Sequence, residues 1–162
     1  MERKWYVLHV KPRTEKKAAE YLKIYRSWHY LPLYKKITRV QRRKVVRELP
    51  LFPGYVFVRL NPQERLLMLK TNLIVRIIDV PNPREMIHQL RQIVRAGKTG
   101  KELRKVEKFT VGEKVRITQG PFYGIEGFIK HDAGGATVVL NIEILGQAVA
   151  VSIHPSHCEK IN

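Results

Sequence analysis

Residues 49–60 read LPLFPGYVFVRL, a long apolar run that directly follows the most basic stretch of the chain and contains a single charge, Arg59. Two sets of side chains alternate along it: Tyr55, Phe57 and Arg59 in one set and Val56, Val58 and Leu60 in the other. Because successive side chains of a strand point to opposite faces, this run predicts a strand with the aromatic residues on one face.

The segments around this strand predict a sheet with crossing helices. A strand is expected at 5–10, a helix capped by Thr14, an extended segment at 30–34, an exposed hairpin at 35–48, the strand at 51–60, a helix at 63–70, a strand at 74–80, and a helix that Asn82 caps and that ends at Gly97. This order suits a split βαβ sheet of the ferredoxin-like type, with helices packed on one face.

The pattern changes after residue 97. Residues 98–108, KTGKELRKVEK, contain few apolar side chains and predict a flexible linker. Short strands are then expected at 114–118, 128–130, 137–145 and 147–153, separated by turns that contain glycine, and this spacing predicts a small β-barrel. The fold class is therefore α+β, with an N-terminal domain at 1–97, a linker at 98–108 and a barrel domain at 109–162.

The charge is unevenly distributed. The whole chain carries +17, while residues 1–96 hold 22 Lys/Arg against 7 Asp/Glu and residues 109–162 hold 4 against 5. A polyanionic partner is therefore expected to bind the first region and not the barrel. The candidate nucleic-acid-binding residues are Lys11, Arg13, Lys16, Arg42, Arg43 and Lys44. The alternative is that the hairpin charges form a solvated surface that only keeps the protein soluble.

Signals for other function classes are weak. Gly97-Lys98-Thr99 follows a predicted helix and lacks the earlier glycine of a phosphate-binding loop, because Gln92 stands there. His154, His157 and Cys158 do not make a full set of metal ligands, and no nucleophile lies at telling spacing from a histidine. We expect no catalytic residue, no metal, no cofactor and no enzyme activity. With one cysteine and no long apolar segment, we expect a cytoplasmic protein without a membrane partner.

Three segments together resemble one known family. WYVLHVKPRTEKKAAEYL at the start, LPLFPGYVFVRL in the middle and VGEKVRITQGPFYGIEGFI near the end resemble, in this order, the NusG family of transcription elongation factors. The resemblance covers residues 5–161. The first two segments match the N-terminal domain of that family, and the third resembles the KOW motif of its SH3-like C-terminal barrel.

This resemblance implies an interaction with RNA polymerase. The N-terminal domain of the family binds the clamp helices of the polymerase, and Tyr55 and Phe57 occupy positions on that binding face. An aromatic row on a sheet is also a suitable anchor for a helix. The alternative is that Tyr55 and Phe57 pack under the helices of their own domain.

The resemblance also suggests a specialised role. The segment after the central strand departs from the pattern of housekeeping members, and together with the basic hairpin this resembles paralogues that antiterminate long operons. Lys11 matches a DNA-contacting lysine of such paralogues, so the non-template DNA strand or nascent RNA is an expected partner. Some paralogues make a second polymerase contact through a Thr-rich helix tip, and residues 65–68 of this chain lack that feature. We expect a monomer.

The C-terminal domain is expected to bind a small-subunit ribosomal protein or a termination factor through Phe122, Tyr123 and Ile125. Some relatives instead hold this domain as a helical hairpin. Residues 137–153 are rich in β-branched side chains and contain Gly146, which favours a stable five-stranded barrel over that helical form.

Three other functions remain open at this point. A housekeeping elongation factor would share every motif. A ribosome-associated, RNA-binding KOW protein should carry its positive charge on the barrel. A nucleoid-type packaging protein would have the positive charge without the apolar row at 49–60.

Overall fold

A computed structural model describes residues 2–107 and 112–162, apart from the side chain of Asp132. The chain divides into two compact units, Met1–Pro81 and Asn82–Asn162. The predicted α+β class is confirmed, with a split βαβ sheet in the first unit and a small β-barrel in the second. The predicted domain limits at residues 97 and 109 stay predictions, because compactness does not test which segments fold on their own.

The first unit contains a four-stranded antiparallel sheet and a separate hairpin. The sheet order is β2-β5-β1-β6, so the strand predicted at 51–60 is one of its two central strands, but it begins at Tyr55 because residues 51–54 form a turn. The predicted segment at 30–34 is interrupted at Pro32, between β2 and β3. The elements are β1 (Lys4–Val10), α1 (Glu15–Ile24), β2 (Trp28–Tyr30), β3 (Leu33–Val40), β4 (Arg43–Pro50), β5 (Tyr55–Leu60), α2 (Pro62–Lys70) and β6 (Ile74–Asp79).

One face of this sheet forms a hydrophobic core with α1 and α2. The core residues from the sheet and the two helices include Leu8, Val10, Ala18, Leu22, Val56, Val58, Leu60 and Met68. Full burial of each Leu or Val side chain stabilises the fold by roughly 1.5–3 kcal/mol. The aliphatic side chains of β5 are therefore those that hold the helices.

Gly54 fixes the start of β5. Its φ of +89° lies in the left-handed region, which glycine adopts without strain. The Gly54 N–H donates to Glu15 Oε2 at 3.0 Å, and the Gly54 carbonyl accepts from the Val10 N–H at 2.8 Å. One glycine thus joins the start of β5 to the first turn of α1 and the end of β1.

A capping box fixes the start of α2. Asn61 Oδ1 accepts from the Glu64 N–H at 2.8 Å, and Glu64 Oε1 accepts from the Asn61 N–H at 2.9 Å. The Glu64 carboxylate also accepts hydrogen bonds from Ser27 Oγ and from Arg3 Nε. Burial alone would raise the pKa of Glu64, but the hydrogen bonds and the charge of Arg3 together hold this pKa below its usual value.

β3 and β4 form a two-stranded sheet of their own. The Leu51 N–H donates to the Pro32 carbonyl at 2.8 Å and closes the base of this hairpin. At the tip, Gln41 and Arg42 have φ values of 50° and 66°. Most hairpin side chains are exposed, as the sequence predicts, and they include Ile37, with 59% of its surface exposed.

The second unit begins with a helix and continues as a six-stranded sheet. Its predicted helix is confirmed, with Asn82 Oδ1 accepting from the Glu85 N–H at 3.2 Å. The sheet order is β12-β8-β9-β10-β11-β7. The elements are α3 (Pro83–Gly97), β7 (Arg104–Glu107), β8 (Lys114–Ile117), β9 (Glu126–Asp132), β10 (Gly135–Ile142), a 3-10 turn (Glu143–Leu145), β11 (Gln147–Ile153), a second 3-10 turn (Pro155–His157) and β12 (Cys158–Lys160).

This barrel differs from the prediction in two ways. It has six strands among the described residues instead of the five expected, and β7 lies within the predicted flexible linker 98–108. β7 pairs with β11, so the polar pattern of that segment reflects a strand at the edge of the sheet. Residues 108–111, where the predicted linker ends and the barrel domain begins, lie outside the described residues.

The segment 137–153 is β-structure, as the β-branched residues predict. β10 and β11 pair along their length, and Gly146 ends the intervening 3-10 turn with a φ of 64°. In the described parts of the chain, every helix is too short or too polar to span a lipid bilayer.

Candidate functional site

Most aromatic side chains of the four-stranded sheet lie on the face opposite the hydrophobic core. The strand register aligns Trp5, Arg59 and Trp28 in one row, Val7, Phe57 and Tyr30 in the next, and His9 with Tyr55 in a third. β6 adds Ile78 beside Val7 and Arg76 beside His9. No carboxylate stands at any of these register positions, and the charged residues among them are Arg59 and Arg76.

The two predicted polymerase-binding residues differ in exposure. Phe57 is fully buried, with 0% of its surface exposed. Tyr55 is partly exposed, and its ring stacks on that of His9 with centroids 5.0 Å apart and an interplanar angle of 19°. Tyr55 is therefore available for direct contact, while Phe57 has the burial of a core residue.

Sequence reasoning did not identify the tryptophan cluster at one end of the aromatic face. The rings of Trp5 and Trp28 meet edge to face with centroids 4.8 Å apart, and the Arg59 guanidinium lies 5.8 Å from the centroid of Trp5. Trp28 exposes 47% of its surface. The alternation of Trp5, Val7 and His9 along β1 is the signal that could have placed Trp5 on this face.

The first group of predicted nucleic-acid-binding residues lies where β1 meets α1. Lys11, Arg13 and Lys16 are exposed. Arg13 has a φ of 65°, and the Lys11 carbonyl accepts from the Thr14 N–H and Oγ1, so the loop is a tight turn. Arg13 and Lys16 line a cleft of about 720 Å³, together with Glu48 at the base of the hairpin.

The second group lies at the hairpin tip. Arg42, Arg43 and Lys44 are all exposed. β3 and β4 have eight residues each, which corresponds to about 25 Å of extended chain between base and tip. The six predicted residues thus form two separate basic groups, one at the cleft and one at the tip.

The predicted partner-binding turn of the barrel is mostly buried. Phe122 exposes 7% of its surface and Ile125 exposes 1%, whereas Tyr123 exposes 69%. The Ile125 carbonyl accepts from the Ile117 N–H at 2.9 Å, which holds the turn against β8. Of the three residues, only Tyr123 presents a surface to a partner.

Within the second unit, α3 makes polar contacts with the barrel that sequence reasoning missed. Gln92 Oε1 accepts from the Glu126 N–H at 3.0 Å, and Gln89 Oε1 accepts from the Glu143 N–H at 2.9 Å. Arg95 Nη2 donates to the Tyr123 carbonyl at 3.4 Å. Two glutamines on one helix face could have indicated a polar contact, but nothing in the sequence identifies these acceptor turns.

The histidine and cysteine cluster near the end of the barrel has local partners. His154 Nδ1 lies 2.6 Å from Ser156 Oγ, and Cys158 Sγ donates to the Pro155 carbonyl at 3.3 Å. Burial raises the pKa of the Cys158 thiol, which disfavours the reactive thiolate. Across residues 2–107 and 112–162, no group of three or more His, Cys, Asp or Glu residues is arranged to hold a metal ion.

Comparison with known protein families gives a match over more than half of the chain. Residues 3–96 match the family described as "Transcription termination factor nusG". The chain belongs to the NusG family. The matched residues include the split βαβ sheet, the exposed hairpin and all of α3 except Gly97.

Full-length relatives agree with this assignment. The chain is 25% identical to the transcription termination/antitermination protein NusG of Pasteurella multocida, over 99% of this chain and 97% of the relative. It is 28% identical to the NusG of Neisseria meningitidis, over all of both chains. A structure titled "Domain interaction in Thermotoga maritima NusG" matches with a TM-score of 0.49 and 28% identity, covering 100% of this chain and 99% of that one.

Proposed function

We propose that this NusG-family transcription termination/antitermination factor binds the clamp helices of RNA polymerase through its aromatic sheet face and contacts nucleic acid through its two basic groups. The observation that carries the proposal is that the aromatic sheet face and the basic groups occur on the same unit of the chain. The aromatic face has cations but no carboxylate among its register positions, and the hairpin extends from the same unit with exposed Arg and Lys side chains.

Tyr55 is the proposed direct contact with the polymerase. It is partly exposed and is positioned by its ring contact with His9. Aromatic side chains held in this way are frequent hot spots, because they bury a large area and lose little conformational entropy on binding. Phe57 can serve as a second anchor only if its buried side chain becomes exposed.

Binding to purified core RNA polymerase tests this role. Tyr55→Ala should weaken binding by about 2 kcal/mol or more, the usual effect at a hot spot, with little change in thermal stability. Tyr123→Ala is the matched control, since Tyr123 is an exposed tyrosine in the second unit. Phe57→Ala should lower the free energy of unfolding by about 3–5 kcal/mol, as truncation of a buried Phe does. Equal polymerase binding by wild type and Tyr55→Ala would exclude the proposed contact.

The basic group at the cleft is proposed to contact the non-template DNA strand. Arg13 and Lys16 line the cleft together with Glu15, Glu48 and apolar residues such as Pro50 and Pro53. Lys11 is exposed and directly precedes Pro12, which also lines the cleft. Neutral substitutions at Lys11, Arg13 and Lys16 should reduce the shift of elongation complexes in gels and flatten its salt dependence, by about 0.7 in slope for each lost contact to a single strand. An unchanged slope would show that these cations are only solvated.

We also propose the specialised role, in which the factor acts on particular long operons in the cytoplasm. The barrel would then bind a ribosomal protein or a termination factor around Tyr123. The near-neutral charge of residues 109–162 argues against direct RNA binding by the barrel. The names of the relatives favour the alternative of a general NusG factor. Transcript profiles after deletion separate the two, because a specialised factor changes the distal ends of few operons and a general factor changes many.

A further inference from the structure

The register of the β3–β4 hairpin places like charges directly opposite each other. Lys36 pairs with Arg47, and Arg39 pairs with Lys44. Because side chains alternate along a strand, these two pairs lie on opposite faces of the hairpin. Like charges in directly opposed positions destabilise an antiparallel pair. Each face of the hairpin therefore contains an electrostatic repulsion.

Other features of the hairpin add to this instability. Residues 33–50 contain seven Lys/Arg and one acidic residue, Glu48. Glu48 stands opposite Lys35 near the base, so six of the cations have no acidic residue opposite them. Among the residues that the structure describes, no ion pair within 4 Å involves a hairpin side chain. Gln41 and Arg42 both have positive φ at the tip, where Asn and Gly are preferred. An isolated two-stranded hairpin is marginally stable in water even without such conflicts.

We propose that the β3–β4 hairpin is a ribbon that binds double-stranded DNA, and that phosphates placed beside its like-charge pairs complete its stability. The inference rests on the proposed function, since it specifies the nucleic acid that the hairpin contacts. Phosphate oxygens near Lys36 and Arg47 on one face, and near Arg39 and Lys44 on the other, turn both repulsions into attractions. Hairpin ordering and DNA binding are then coupled.

Two observations favour a duplex over a single strand. Proteins that bind single strands stack bases on aromatic side chains. The hairpin has one aromatic residue, Tyr34, which lies at its base opposite Leu49, and none at 35–50. A hairpin with cations on both faces can meet phosphates on both sides of a groove, and the major groove of DNA accommodates a two-stranded ribbon. The deep, narrow major groove of duplex RNA does not admit one.

The pair of substitutions Lys36→Glu and Lys44→Glu tests the proposal because it acts in opposite directions on stability and binding. Each change replaces a like-charge pair with an opposite-charge pair. In the free full-length variant, amide protons of residues 36–47 should exchange more slowly than in the wild type. The affinity for a duplex of about 20 base pairs should fall, and its salt slope should decrease by about 0.9 for each lost phosphate contact.

The control variant makes the same change of charge outside the hairpin. Lys70→Glu with Lys101→Glu alters two exposed lysines of α2 and the segment after α3. This variant should keep the wild-type exchange of residues 36–47 and the wild-type salt slope for duplex DNA. Equal losses of duplex affinity in both double variants would indicate an effect of net charge alone and overturn the proposal.

Single-stranded DNA of the same length provides the second arm. In the wild type, duplex DNA should slow amide exchange at residues 36–47, and single-stranded DNA should do so less. Stronger protection by the single strand would overturn the duplex assignment but leave the proposed nucleic-acid contact in place. If neither DNA changes the exchange of these amides while Tyr55→Ala still weakens polymerase binding, the hairpin proposal fails and polymerase docking stands.

Discussion

The chain contains two long antiparallel hairpins with opposite surroundings. β3–β4 pairs along eight residues per strand and is mostly exposed, whereas β10–β11 lies inside a six-stranded sheet and is mostly buried. The first has Lys36 opposite Arg47, and the second has Val138 opposite Val151. Their backbone pairing is alike, so the difference between them lies in what their side chains meet.

The comparison shows that strand pairing alone does not make a hairpin stable. β10 and β11 gain stability from apolar burial and from a strand on each outer edge, β9 and β7. β3 and β4 have neither advantage. We therefore expect the barrel hairpin to open only when the second unit unfolds, and the basic hairpin to open locally, at much lower free energy.

The largest expected difference concerns matched isoleucines. Ile142 in β10 is fully buried, while Ile37 in β3 exposes 59% of its surface. Ile142→Ala should lower the free energy of unfolding by about 2–5 kcal/mol through lost burial and a residual cavity. Ile37→Ala should change it by less than about 0.5 kcal/mol, as exposed substitutions do. Denaturant unfolding of both variants measures the difference, and equal effects would remove the basis of the comparison.

Acid should separate the basic hairpin from the sheet beside it. The pKa of Glu64 is lowered in the folded state, so its stabilisation is present above the usual glutamate pKa and is lost as the pH falls through the lowered value. Glu64→Gln should destabilise the first unit by about 1–3 kcal/mol at neutral pH and flatten this acid dependence. Thermal unfolding across the acid range measures it. The hairpin amides should not follow this transition, and a parallel loss of their protection would show that hairpin and sheet are coupled.

The two turns should respond oppositely to changes in glycine content. Gly146 has a φ of 64°, so Gly146→Ala should destabilise the barrel by about 1–2 kcal/mol through left-handed strain. Arg42 has a φ of 66°, so Arg42→Gly should relieve strain at the hairpin tip and slow amide exchange of β3 and β4. Exchange measured in both variants checks this pair of effects. Faster exchange in Arg42→Gly would mean that the arginine side chain itself holds the turn.

Salt should produce the smallest effect. Screening shortens the range of charge interactions from about 10 Å at 0.1 M salt to about 3 Å at 1 M. Added salt should therefore weaken the repulsions at Lys36 and Arg39, and the hairpin amides should gain a few tenths of a kcal/mol of protection. Amides of β10 and β11 serve as the internal reference. Salt-independent exchange of the basic hairpin would show that its like-charge pairs do not strain it.

Local patterns predicted the elements that depend on neighbouring residues. The alternation at 55–60, the Asn82 cap of α3 and the basic hairpin are all present in the structure. Each of these features depends on residues that are close together in the sequence. The local sequence pattern is therefore enough to predict it. The β-branched content of 137–153 likewise selected strands over a helical hairpin.

Features that depend on distant pairing could not be read from the sequence. The tryptophan cluster exists because β5 pairs with both β1 and β2, which brings Trp5 and Trp28 to either side of Arg59. The burial of Ile125 was missed for the same reason, and the burial of Phe57 was one of two alternatives that the sequence left open. The segment of β7 was predicted to be a linker because it contains few apolar residues. It forms an edge strand nevertheless, because it pairs with β11, about 40 residues later in the chain.

The hydrogen bond from Leu51 to Pro32 has a consequence for how this protein can change over time. This bond joins the residues that directly precede β3 and follow β4, so the four-stranded sheet does not depend on the hairpin between them. Insertions, deletions and substitutions at such exposed sites are tolerated because little of the buried core depends on them. The length and charge of the β3–β4 hairpin can thus diversify among descendants of this gene while the four-stranded sheet stays the same.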